Sequence, residues 1–139
     1  MHKTLIYLVS EDWYFLSHRL SLAKTAMDRG YVVHVICKNT GLINNIKKYG
    51  FKCHELKSKR SNISIMSIFK EILNVRLLIK NIDPAIVHLV AIRPILLGLT
   101  ALLFNNKIKI ISSITGMGSI FLSKNIKIKF LKNIILIFL

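Results

Sequence analysis

Acids are scarce in this chain: six Asp and Glu stand against 21 Lys and Arg, a formal charge of +15. Such a balance suits a polyanionic partner, whether nucleic acid, an anionic membrane surface or a phosphorylated ligand. A general abundance of Ile, Lys and Asn is the alternative source of the excess. Cysteine is nearly absent. Cys37 and Cys53 form no CxxC and no Cys/His cluster, which excludes a zinc module. Both read as reduced thiols in strands, with a disulfide between them left open. Long apolar runs are missing too. No stretch reaches the ~18 uninterrupted residues of a spanning helix, and Ala85–Phe104 is broken by His88, Arg93 and Pro94. MHKTLIYLVSED runs into two acids with no small-residue cleavage site, so no secretory leader is expected. Glycine and proline total six and two, and no linker, repeat or low-complexity block is visible.

What is present is core. A hydrophobic fraction of 53% in 139 residues suffices for one packed domain. Thr4–Val9 reads as a strand buried on both faces. Ser17 is placed to cap a helix whose face is Leu16, Leu20, Ala23 and Met27 and which closes at Gly30. Tyr31–Cys37 is a second strand, Leu42–Tyr49 a short basic helix, and Phe51–Leu56 a weaker third strand. Ser64 opens a long helix that stops before Pro84. Its Ile65, Ile68, Phe69, Ile72, Leu73 and Ile79 can pack on the sheet or meet a membrane. Ala85–Val90 is a fourth strand, Pro94 starts a helix to about Phe104, and Lys107–Ser112 is a fifth strand. The remainder alternates like a strand around Ile126–Phe130 and like a helix elsewhere.

Strands separated by helices imply an α/β fold, a Rossmann-like doubly wound parallel sheet with expected order 3-2-1-4-5. Ligands in such a layer bind beyond the strand carboxyl ends, where the order reverses. Three segments should converge there: SEDWYFLSHR, HLVAIRP and SITGMGS. The first contains no glycine, which argues against a dinucleotide pyrophosphate site. It offers Glu11, Asp12, Trp13, Tyr14, Phe15, His18 and Arg19 instead. His18 and Arg19, expected at a helix start, suit an anion. The aromatics can stack on a sugar or hold a lipid. The plainer reading keeps Trp13 and Phe15 as plugs of the sheet edge, with Glu11 or Asp12 paired to Arg19. His88 reads as a core strand histidine. Arg93 sits at a helix tip, and Thr115, Gly116 and Gly118 form a short loop. No nucleic-acid-binding pattern occurs, and the lysines do not interleave with aromatics, so no nucleic-acid partner is expected.

Taken together, LIYLVSEDWYFLSHRLSLAKTAMDRGYVVHVICK, IDPAIVHLVAIRPILLG and IISSITGMGSIF resemble the N-terminal half of the family-4 glycosyltransferases. The subset they resemble most builds polysaccharide or O-antigen on a polyprenyl-diphosphate carrier. The most specific part is SEDWYFLSHRLSLA. His88, Arg93, Pro94 and Gly98, then Thr115, Gly116 and Gly118, follow in the expected order. The resemblance implies a GT-B arrangement of two Rossmann-like domains, retention at the anomeric carbon, and no metal or other cofactor. It implies that Glu11, Asp12, Trp13, His18, Arg19 and Arg93 line the acceptor side, while Thr115, Gly116 and Gly118 approach the donor sugar. The implied partners are a polyprenyl-diphosphate-linked sugar, an anionic membrane and, only if a C-terminal domain is supplied, a nucleotide-sugar donor. The implied location is cytoplasmic, peripheral on the inner face of the plasma membrane. The whole chain, 1–139, is then expected to be the acceptor-side domain, truncated before its donor-binding domain, since no acid follows residue 119. The alternative is a non-catalytic membrane-surface subunit that recruits a separate donor-binding chain.

Overall fold

A computed structural model of the chain describes residues 3–56 and 65–115. Five strands, β1 (Thr4–Glu11), β2 (Val32–Lys38), β3 (Lys52–Glu55), β4 (Ile86–Val90) and β5 (Lys109–Ser113), form one sheet in the order β3-β2-β1-β4-β5. Every pairing is parallel. This is the expected doubly wound layer, with the order reversing between β1 and β4. The alternation of side chains divides the core. Leu5, Tyr7 and Val9 join Val33, Val35 and Cys37 under α1 (Asp12–His18), α2 (Leu20–Asp28) and α3 (Ile43–Lys48). Ile6, Leu8, Val87 and Leu89 meet α4 (Ile65–Ile82) and α5 (Ile92–Ala101) on the other face. A strand covered on both sides must be apolar at every position, which is why TLIYLV is continuous.

Several boundaries differ from the sequence reading. The first helix starts at Asp12, directly after β1, and Ser17 does not cap it. Ser17 lies inside α1, and its hydroxyl donates back to the Trp13 carbonyl at 2.9 Å. The expected single helix is two, broken at Arg19 (φ −124°). On α4 the buried face is Glu71, Val75 and Ile79, whereas Ile65, Phe69 and Leu73 are exposed. Proline stands third in α5, not first, and β5 begins at Lys109. Ser64 and the segment from residue 116 onward lie outside the described residues. Cys37 and Cys53 are free thiols, and burial pushes the Cys37 thiol up to about 12. Gly98 is explained by contact. A Cβ there would stand 2.2 Å from Leu89 Cδ2, so α5 can approach β4 only without one.

The β1 exit is fastened by Asp12. Its side chain is fully buried, and its carboxylate accepts from the backbone N–H of Trp13, Thr40 and Leu42, each at 2.8 Å, and from the Thr40 hydroxyl. Burial pushes this carboxyl up, but the hydrogen bonds from Thr40, Leu42 and Trp13 outweigh it and hold it below its ordinary value. Just before it, three steps along β1 (Leu8 to Glu11) match two along β2 (Ile36 to Lys38), a bulge at the rim. At the far edge, the His34 and His54 rings stack with Nδ1 and Nε2 2.9 Å apart. Burial, then His54 and Lys52, depress His34 to about 4.

Replacing Asp12 with Ala leaves two loop amides without an acceptor, and the expected loss is about 2–4 kcal/mol in urea unfolding. Amide exchange at Thr40 and Leu42 should accelerate in the same variant. For His34 the folded value lies below the unfolded 6.5. The unfolded chain therefore takes up the proton first as pH falls, and stability drops between 6.5 and about 4. Unfolding at pH 7 and pH 5 should show that drop, and His34→Gln should flatten it; an unchanged drop in the variant would assign it to other groups.

Candidate functional site

In a fully parallel sheet, everything that follows a strand emerges at one rim. The α1 elbow, the tip of α5 and Thr115 follow β1, β4 and β5 respectively, so the topology brings them to the same edge of the layer. Ala91, which opens α5, has φ 77° and donates its N–H to the Ser113 carbonyl at 3.0 Å. A non-glycine residue in that region stores strain of about 1–3 kcal/mol, a feature concentrated at functional rims.

The exposed surface of the elbow is aromatic. Trp13 is 46% exposed, and its Nε1–H donates to Glu11 Oε2 at 2.6 Å. Tyr14 packs edge-on to Trp13 and face-on to His18, with centroids 4.4 Å apart and planes within 8°. Ser17 Oγ lies 2.6 Å from His18 Nδ1, fixing the imidazole in that stack. Of the proposed plugs, only Phe15 is one; it is buried against Tyr7 and Phe51. Glu11 and Asp12 are thus separated in role. Glu11 orients the exposed indole, and Asp12 is turned inward.

His18 does not sit at a helix start, as expected, but in the last turn of α1; Arg19 is the N-cap of α2. The anion at the α1 N-terminus is the chain's own Asp12 carboxylate. Arg19 acts on the middle of the sheet: its charge opposes the burial that raises Tyr7, and it adds to the burial that lowers His88. His88 Nε2 lies 2.7 Å from Ser113 Oγ. Arg19 Nε is buried with no hydrogen-bond partner among the described residues. A guanidinium with an unpaired N–H is suited to an incoming anion.

Arg93 points away from this group, to the other face of the sheet, where it donates to Glu71 Oε2 at 2.7 Å. Thr115 is half-buried two residues beyond β5, and Gly116 and Gly118 lie outside the described residues. Glu71, Tyr7 and Ser113 were not anticipated. Glu71 left a trace: with Val75 and Ile79 it forms an i, i+4, i+8 row, so one acid interrupts an apolar stripe. Tyr7 and Ser113 left none. Among the described residues, no three His, Cys, Asp or Glu side chains are grouped to hold a metal ion.

Known proteins share this architecture. A glycosyltransferase from Rickettsia africae superposes with a TM-score of 0.63 at 19% identity, over 78% of this chain and 28% of its own. MurG of Acinetobacter baumannii gives 0.64 at 17% identity, over 79% and 34%. The glycotransferase of kitacinnamycin gives 0.52 at 17% identity, over 81% and 30%. The chain therefore spans about a third or less of these proteins, and at such identities the likeness is one of fold. No curated protein sequence matches it. The glycosyl transferase 4-like family matches over residues 4–139. On that match, and on a sheet whose order and rim agree with it, the chain belongs to the glycosyl transferase 4-like family.

Proposed function

We propose that this domain is the acceptor-binding half of a retaining glycosyltransferase that transfers a sugar from a nucleotide-sugar to a polyprenyl-diphosphate-linked glycan in cell-surface polysaccharide synthesis. The supporting observation is the Trp13–Tyr14–His18 platform, held outward by Glu11 at the β1/β4 switch point. Aromatic faces stack on sugar rings and on isoprenoid carbon alike. Arg19, with its unused Nε, and His18 suit the diphosphate between those two parts. Thr115 follows β5 toward the same rim, whereas Arg93 is engaged on the α4/α5 face, and by the family resemblance Gly116 and Gly118 would face the donor. The donor itself would be held by residues outside this domain.

A polyprenyl acceptor is delivered at a membrane, and α4 offers a surface for it. Met66, Phe69, Leu73 and Leu77 form one exposed apolar row, flanked by exposed Lys70, Arg76 and Lys80. No helix among the described residues is long and apolar enough to cross a membrane. An apolar row with basic flanks fits the interfacial mode, in which carbon enters the headgroup boundary and each nearby cation contributes about 1 kcal/mol on an anionic leaflet. The same face would serve a non-catalytic subunit that recruits a donor-binding chain.

Trp13 is the single tryptophan, so its fluorescence reads the platform directly. A short-chain polyprenyl-diphosphate sugar should quench it saturably. Trp13→Ala, followed by calorimetry, should weaken binding by about 1–2 kcal/mol, roughly five- to thirtyfold, at unchanged stability. Absence of quenching by any such carrier would refute the acceptor assignment. For the membrane face, co-sedimentation with vesicles rich in phosphatidylglycerol should exceed that with phosphatidylcholine and fall with salt. The exposed double change Phe69→Ser and Leu77→Ser should abolish it without lowering Tm; equal sedimentation with both vesicles would exclude this surface.

A further inference from the structure

Beyond the end of β1, on the α4/α5 face, lies a cavity of about 90 Å³ walled by Leu8, Val9, Leu56, Pro94 and Leu97. Glu71 forms part of its lining, from the buried side of an 18-residue helix, and is 7% exposed. One carboxylate oxygen, Oε2, takes the Arg93 hydrogen bond. The other, Oε1, is buried and has no hydrogen-bond partner among the described residues. A buried acceptor left unpaired is destabilising, and native structures rarely keep one without a use. An apolar side chain at this helix position would remove the problem, yet the chain carries an acid.

The surroundings define what could satisfy it. Among the described residues, the charged side chains at the cavity are Glu11 and Glu71 against Lys38 and Arg93, two of each sign. A neutral ligand group therefore enters at no electrostatic disadvantage, while an added carboxylate would face Glu71 Oε1. The volume is that of about three waters at ~30 Å³ each, and the walls are mostly carbon. Glu11 is common to the cavity and the platform, since it lines the one and holds the Trp13 indole of the other.

We propose that this cavity is a subsite for the acetamido substituent of an N-acetylated sugar. The N–H donates to Glu71 Oε1, and the methyl lies against Pro94 and Leu97. Arg93 positions the carboxylate by holding Oε2. The assignment rests on the acceptor reading above and names a sugar class for it.

The test compares two probes on the 139-residue chain: a short-chain polyprenyl diphosphate bearing N-acetylglucosamine, and the same carrier bearing glucose, both read by Trp13 fluorescence. The acetamido carrier should bind on the order of tenfold tighter, because a site built to accept a hydrogen bond discriminates against a ligand that lacks the donor. In Glu71→Gln, Arg93 retains the amide oxygen and turns the NH2 into the cavity, which replaces the acceptor by a donor. The preference should vanish while glucose-carrier affinity persists. Glu71→Leu should lose the preference too, and should melt no lower than the parent. Two variants of opposite polarity keep the comparison readable if one folds poorly. Equal affinities in the parent chain, as expected if water alone fills the cavity, would overturn the subsite and leave the acceptor reading standing. A preference that survives in the variants would also overturn it. Binding of neither carrier would overturn both.

Discussion

A carboxylate sealed from water is least costly when hydrogen bonds occupy its lone pairs. Asp12 meets that condition by gathering three backbone amides and a hydroxyl. Two of those amides belong to the loop after β2, so one side chain ties the exits of two neighbouring strands together. The bulge just before it shifts the register by one residue and turns the chain out of the sheet. The helix that follows must therefore start at the rim, with Trp13 facing outward and Phe15 inward. The same carboxylate occupies the α1 N-terminus.

Adjacent residues in the elbow consequently do opposite work. Asp12 holds backbone from inside, and Glu11 holds an indole from outside. Neither is free to neutralise Arg19, whose charge is felt instead by Tyr7 and His88 in the middle of the sheet. On the opposite face Arg93 is engaged by Glu71, across 22 positions of sequence. The rim thus has two polar systems on either side of β1, one cationic and one charge-balanced. The proposed acceptor, a sugar-diphosphate-lipid, would bring a neutral sugar, an anion and an apolar tail to these two systems.

The layer was legible from local order. TLIYLV, YVVHVIC and AIVHLV are largely apolar runs, the last two interrupted only by His34 and His88, and helical stretches separate them. Those signals demand parallel strands, and short connections leave few arrangements besides β3-β2-β1-β4-β5. The elbow's importance was visible in its lack of glycine and its density of aromatics. Its helix boundary was misread because serine is a common cap and Ser17 preceded a good apolar face, whereas the observed start depends on contacts from Thr40 and Leu42.

Residue order along one strand or helix thus sufficed for the fold class, the rim and the residue types collected there, because periodicity and turn chemistry act over a few neighbours. Folding in space assigned the roles. Glu11 and Asp12 are indistinguishable by type and position, and only the loop from β2 makes one a fastener and the other an orienting group. Glu71 and Arg93 became partners, and the outward row of α4 became surface, because packing joins segments that no local pattern connects.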